Sequence, residues 1–341
     1  MTGVCAAPAR HSYSVYGVNV TTDVPLEFPP TGQGASSRGC SLTSVAGVEF
    51  VEGGDDDFEP FASTAASDEA FVCITLPDGR AYLRWSALYE FSVSADGVRV
   101  ACRVLNGCDR SVFQNFLFGQ VLGVALVRQG IEPLHAAVVC VDDFAVAFLG
   151  DCTYGKSSLM AAFVQAGHRV VTDDLLILER RAAETYAFPG AGRIKLRPDS
   201  ASHFLSNVDS GTPLTPMTSK RSFPLAPSHR QRTSVPLRAL YVLPEPEERD
   251  RITSLEIRPA SRVEMARELL KNTFIGHIVD RERLVRQFLY ATERASKVDG
   301  FWLRYPGGLH HLVELQKAIV EHSRRHCARE LPHGDCYEPE R

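Results

Sequence analysis

Residues 145–178 constrain this chain more than any other stretch. A short apolar run, 145–149, leads into Gly150, Asp151, Cys152, Thr153, Tyr154, Gly155, Lys156 and Ser157. Ser158 and an amphipathic stretch, 156–166, follow. A second apolar run, 169–178, carries Asp173 and Asp174. The octapeptide fits G-x-x-x-x-G-K-[ST], and its place between a strand pattern and a helix pattern is the context that gives the motif meaning. Glycines at both ends let backbone N–H groups face an anion, and the helix that follows presents its positive end to the same point. The segment therefore predicts a phosphate-binding loop spanning residues 150–158.

Residue types assign tasks within that loop. Lys156 is placed for the β and γ phosphates of a nucleotide and Ser157 for a magnesium ion, so ATP and Mg2+ are the expected cofactors. A strand ending in carboxylates supplies the acid that such loops need near the metal. One Asp would suffice for that, and the second suggests a base that takes the proton from an attacking hydroxyl. The bland alternative, an Asp that caps the next segment, stays open here. Cys152 stands inside the loop, next to backbone amides and a helix start, a setting that makes a thiol reactive.

The rest of the chain organises around this segment. Residues 12–104 alternate apolar and polar in short runs separated by Gly, Pro and Asp, which predicts a mostly β region. Within it, residues 81–85, 89–93 and 98–104 form an expected meander, with Ala95, Asp96 and Gly97 as a hairpin turn. Residues 29–41, rich in Gly and Ser, read as a loop. Phe113, Phe116, Leu117, Val121, Leu122 and Val124 recur at helical spacing over 111–129, and Gly130 suits the cap. Strands are expected at 134–141, 144–149 and 238–243, and helices at 262–270, 281–295 and 309–326. The Ser-, Thr-, Pro- and Arg-rich stretch 206–234 reads as a long functional loop. Its Lys220, Arg221, Arg230 and Arg232 could close over a triphosphate or could be solvated charges.

Composition excludes several classes. A formal net charge of -4 offers no basic footprint for nucleic acid. The apolar runs fall far short of the ~20 residues that cross a bilayer. With no basic start followed by an apolar block at residues 1–10, the cytoplasm is the expected location. Nine cysteines without a recurring spacing read as reduced thiols rather than a disulfide framework or a zinc site. The 52–57 run lacks the ligand spacing of a calcium loop, and His310 with His311 has no third ligand nearby.

Three blocks carry a family resemblance: Leu134 and His135 with the apolar residues after them, the 150–157 loop, and Gly167, His168, Arg169 through Asp173 and Asp174. Together they resemble the HPr serine kinase/phosphorylase family over about residues 131–180. The resemblance implies an α/β fold with a C-terminal P-loop kinase domain of HPr kinase/phosphoenolpyruvate carboxykinase-like type and an N-terminal mostly β domain. The shift in pattern at the 111–130 helix sets the expected divisions at 1–110 and 111–326, with a flexible tail, 327–341. The resemblance also implies Asp173 as catalytic base, Asp174 as magnesium ligand and His135 as an active-site histidine, although a lone His on an apolar strand by itself reads as a core residue. Homo-oligomers occur in that family.

The family's Glu-x-Arg-Gly-x-Gly element is absent, and Arg193, Lys195 and Arg197 alternate in its approximate place. An extended backbone would put all three on one face, to hold phosphate or an acidic peptide. The layout is more similar to HPr-kinase-related proteins encoded beside ribosomally made peptides, including lasso peptides, which implies a serine kinase acting on a precursor peptide or small protein. A kinase for a free amino acid, sugar or antibiotic hydroxyl, and a nucleotide-binding regulator without transfer, remain alternatives.

Overall fold

The computed structural model describes residues 10–24, 26, 42, 45–61, 69–85, 88–105, 110–214, 218–276 and 278–330. The loop expected at 29–41 lies outside these residues, as does 331–341 of the expected tail. Residues 327–330 belong to the last helix instead.

The first sheet has seven strands. In spatial order they are His11–Val15, Val18–Thr22, Val48–Glu52, Arg99–Val104, Tyr89–Val93, Ala81–Trp85 and Phe71–Thr75. The first two form a hairpin on a two-residue turn, Tyr16 and Gly17, both at positive φ, the form whose twist matches the strands it joins. Gly97 closes the expected meander: it sits at φ 71°, and a Cβ there would fall 2.2 Å from the Ala125 carbonyl. That oxygen belongs to the helix covering the sheet, which is α-helical over Arg110–Phe116, widens to a π-helix over Leu117–Val121, and is α-helical again over Leu122–Arg128. Gly130 ends it as expected, with its N–H on Val127 and that of Ile131 on Leu126. Phe113, Leu117, Val121, Leu122 and Val124 enter one apolar core with the first sheet. The same core takes in Leu175, Ile177, Phe188, Phe274 and Ile275.

The second sheet is mixed. Phe144–Leu149, Val235–Val242 and Asp299–Arg304 run parallel at its centre. Ala137–Val141 and Arg169–Thr172 flank them on one side and Glu256–Pro259 on the other, all through antiparallel pairs. Ala137–Val141 is buried at every position, as a strand covered on both faces must be. Helices Lys156–Gln165 and His311–Glu330 cover one face, and Arg262–Lys271 and Arg281–Ala295 the other. Loop 150–155 leaves the C-terminal end of a central parallel strand, where ligands bind in open α/β sheets.

Several expected elements take a different form. The apolar run 169–178 is not one strand: it stops at Thr172, turns through Asp173 and Asp174, and resumes as Leu175–Leu176 and Leu178–Arg181. Asp174 has φ 78°, a conformation no strand contains. The 206–234 stretch is not a bare loop, because its Arg221–Pro224 pairs with Thr212–Pro213 on one side and with Arg193–Leu196 on the other in a small sheet. No helix among the described residues is long and apolar enough to cross a membrane. Cys73, Cys102, Cys140 and Cys152 are free thiols.

Candidate active site

The 150–157 loop is shaped by three positive φ values, at Gly150, Thr153 and Gly155. Gly155, at φ 86°, precedes helix Lys156–Gln165 directly, so the free N–H groups of the first turn face the loop's hollow. Lys156 folds back, its Nζ donating to the carbonyls of Gly150 at 2.5 Å and Asp151 at 3.0 Å. Its burial works against the charge on the ammonium, only partly countered by Cys152, Asp174 and Asp173. A cation held on carbonyls at the mouth of a helix N-terminus is what an incoming phosphate exchanges for its own oxygens. The residues fit a nucleotide's phosphates.

Around the loop, residues far apart in sequence act as braces. Arg249 donates to the Tyr154 carbonyl and, at 3.0 Å, to that of Pro244, with its guanidinium 4.9 Å over the Tyr305 ring. Asn272 accepts the Gly150 N–H on its side chain at 2.9 Å and the His135 N–H on its backbone at 2.7 Å. Ser158 borders the hollow and shares a 2.9 Å hydrogen bond with Ser200.

The two carboxylates part company. Asp173 is buried, accepts the Ser157 hydroxyl at 3.1 Å and takes the Lys195 N–H at 2.9 Å. Burial, then the Asp174 charge, pushes its pKa above the usual carboxylate range. The left-handed turn swings Asp174 the other way, into an ion pair with the Lys195 ammonium, and leaves its side chain 24% exposed. Burial alone would raise the Asp174 carboxyl, but Lys195, then His135, hold it well below its ordinary value. His135 lies beside it on the paired strands 134–135 and 175–176, stacked on Phe274 at 6.0 Å. Burial pushes His135 down to about 4, so the imidazole is neutral at pH 7.

Two hollows meet here. The smaller is the phosphate cleft, bordered by Cys152, Lys156, Ser157, Asp174, Lys195, Arg197 and Lys220. The larger, a cavity of 480 Å³, shares His135, Asp174, Lys195 and Lys220 with the cleft. Its far wall is the π-helical stretch, through Gly119 and Gln120, together with Thr273, Phe274 and Ile275. Such helical widenings recur at functional sites. Gln120 keeps a buried side-chain oxygen without a hydrogen-bond partner.

The alternating cations separate. Lys195 and Arg197 border the cleft, whereas Arg193 donates to Ser222 at 2.7 Å and to Thr212 at 3.0 Å within the small sheet. Of the basic residues in the 206–234 stretch, Lys220 borders both hollows and makes no ion pair among the described residues. Arg221 and Arg230 bind the carbonyls of Gly211 and Leu225. Tyr16 was not anticipated: the hairpin turn of the first sheet buries its phenol beside Asp173 and Asp174, with a hydrogen bond to Thr172. Burial and the two carboxylates raise its pKa well above the ordinary tyrosine value.

Among the described residues, no group of three or more His, Cys, Asp and Glu side chains is placed to hold a metal by itself. Magnesium sites commonly use one or two carboxylates and complete their shell with phosphate and water, and Asp173 beside the Ser157 hydroxyl matches that pattern. Cys152 is exposed at the edge of both hollows. Iodoacetamide is therefore expected to label Cys152 first and to block nucleotide binding, with saturating MgATP slowing labelling about tenfold or more. Equal labelling rates with and without nucleotide would contradict the placement of Cys152 at the phosphate cleft.

No family model matches the chain, and no curated protein matches it. Among solved structures, it is similar to the Hpr(Ser) kinase/phosphatase from Coxiella burnetii, at 15% identity and a TM-score of 0.31, covering 58% of this chain and 97% of that one. A likeness so distant carries no functional weight.

Proposed function

We propose that the chain is a Mg2+- and ATP-dependent kinase of the HPr-kinase type that phosphorylates a serine hydroxyl on a precursor peptide or small protein. One observation carries the reading. The two carboxylates after the strand differ in place: Asp173 is buried on the phosphate-loop serine, whereas Asp174 borders both the phosphate cleft and the larger cavity. A nucleotide-binding switch needs the first carboxylate, and transfer to a second substrate needs both.

This division favours roles opposite to those expected from the sequence. Asp173, on Ser157, is the metal-side carboxylate. Asp174, beside His135 and open to the larger cavity, is the group in position to accept the acceptor's proton. Neutral His135 and cationic Lys195 fix the Asp174 carboxylate, and its ion pair makes it a weak base, suited to a late proton transfer. Lys156 and the loop amides orient the donor phosphates, while magnesium, when bound, spreads the charge that develops on them. The larger cavity takes the acceptor segment, with Gln120 and the 273–275 wall as its contacts. The β-rich residues up to about 130 form the acceptor side of the enzyme.

Labelled ATP with a panel of serine-containing peptides and proteins, followed by phosphoamino acid analysis, tests the proposal. Phosphoserine is expected. Label found only on small metabolites would overturn the acceptor class, and a protein that does not bind MgATP would overturn the whole reading.

Lys220 gives a second check, since it sits where the two hollows join. Lys220→Ala is expected to lower kcat roughly 10²–10³-fold with little change in the KM for ATP, the size of effect seen when one charge-stabilising donor is removed. Lys220→Arg should restore part of it. A kcat unchanged in Lys220→Ala would return this residue to the solvated surface.

A further inference from the structure

A third hollow, of 890 Å³, lies between the C-terminal ends of strands Val235–Val242 and Asp299–Arg304 and the helix Arg262–Lys271. The phosphate loop reaches it through Gly150, Asp151 and Tyr154, and Asp151 borders all three hollows. Ser157, Asp173, Asp174 and Lys195, which make up the transfer end of the site, do not line it. A ligand held by the loop with its reacting end at Asp174 can therefore run past Asp151 into this space. Glu264, Arg267, Glu268 and Lys271 form one wall at i, i+3, i+4 and i+7, a single helix face, and Trp302 stands in another.

We infer that this hollow takes the nucleoside of a nucleoside triphosphate, with the base against the Trp302 ring and the ribose hydroxyls on the Glu268 carboxylate. The inference rests on the ATP-dependent kinase proposed above and decides its donor class against pyrophosphate and polyphosphate, which have nothing to place there. Position along the helix supplies the order. Asn272 holds the Gly150 N–H at 2.9 Å, Glu268 stands ~6 Å further from the loop at 1.5 Å per residue, and Glu264, beside the Trp302 indole, ~12 Å further. Phosphate, ribose and base follow one another in the same sequence. Charge supplies the chemistry. Arg258 pairs with Glu264 at 3.6 Å, Arg267 with Glu268 at 3.5 Å, Lys271 with Glu268 at 3.0 Å and Arg304 with Glu256 at 3.9 Å, so the wall suits an uncharged group rather than a second anion or an acidic peptide. Glu268 is 5% exposed, and an ionised carboxylate has acceptor sites enough to keep both cations and take two hydroxyl protons. The volume falls within the range of small-molecule sites.

Fluorescence tests this on the full chain, which has two tryptophans, Trp85 in the first sheet and Trp302. In Trp85→Phe, MgATP should quench the remaining emission and magnesium tripolyphosphate should not. Trp302→Ala should raise the Kd for MgATP roughly 10–100-fold, the size of effect of losing one aromatic partner of a base. Its Kd for magnesium tripolyphosphate should stay within about twofold, since the loop is a separate contact, and that value also reports a folded loop. Wild type should bind ATP about tenfold more tightly than 2′,3′-dideoxy-ATP, and Glu268→Gln should bring the two close together. A wild type that binds tripolyphosphate as tightly as ATP overturns the nucleoside site, as does a Trp302→Ala chain with unchanged MgATP affinity. Phosphoserine formed from ATP alongside either result removes this site and leaves the kinase proposal standing, whereas nucleotide bound as described without transfer does the reverse.

Discussion

Replacing Asp174 with Asn should reduce phosphoryl transfer about 10³-fold or more at saturating MgATP, while ATP binding and the magnesium requirement stay within a few-fold of wild type. The change keeps the side chain's size, but it removes the ion pair to Lys195 and the carboxylate that borders the larger cavity beside His135. Asp173→Asn should behave differently. That side chain receives the Ser157 hydroxyl, so its loss should raise the magnesium concentration needed for half-maximal rate about tenfold or more, and part of the rate should return at high magnesium. Magnesium titrations of both variants separate the assignments. If Asp174→Asn shows the shifted magnesium requirement and Asp173→Asn the magnesium-independent loss, the roles revert to the order expected from the sequence.

The contrast between these neighbours shows what the sequence could carry. Strand 144–149, the loop and helix 156–165 were legible because each rests on local rules: an apolar run, glycines at turn positions, and a helical period with a start signal. The helix at 281–295 and the meander at 81–104 were legible for the same reason. The break at Asp173 was not, since nothing in an apolar run announces that its second Asp takes a positive φ. Tyr16, Asn272, Gln120 and Arg249 reach the site from other segments, Arg249 lying 95 residues from Tyr154 and Asn272 122 from Gly150, and each looks ordinary in its own segment. Arg193, Lys195 and Arg197 alternate as an extended strand does. Arg193 nonetheless parted from the other two, because the strand Arg221–Pro224 offered it Ser222.

The largest stability effect should come from a residue that touches neither hollow. Arg283 is 1% exposed, and its guanidinium pairs with Glu132, itself 2% exposed, at 3.1 Å. It also donates to the carbonyls of Ile275 at 2.5 Å, Ile278 at 2.7 Å and Phe274 at 2.9 Å. Arg283→Leu would leave Glu132 paired with the partly exposed Arg286, at 2.8 Å, and would take the guanidinium from these carbonyls, of which that of Ile275 keeps the Ile278 N–H. Removing one member of a buried ion pair costs about 3–5 kcal/mol, which in a chain of this size lowers Tm by about 10 °C. The carbonyls belong to the segment that lines the larger cavity, and the same segment holds the phosphate loop through Asn272 and the Leu134 strand through Phe274. Transfer should therefore fall in Arg283→Leu even well below its Tm, with the KM for the acceptor rising more than that for ATP. Glu132→Gln keeps the donors on their carbonyls and should cost less. Calorimetry of both variants decides: a Tm within about 2 °C of wild type for Arg283→Leu would mean that the pair is dispensable and that the 273–276 wall is held by its backbone hydrogen bonds alone.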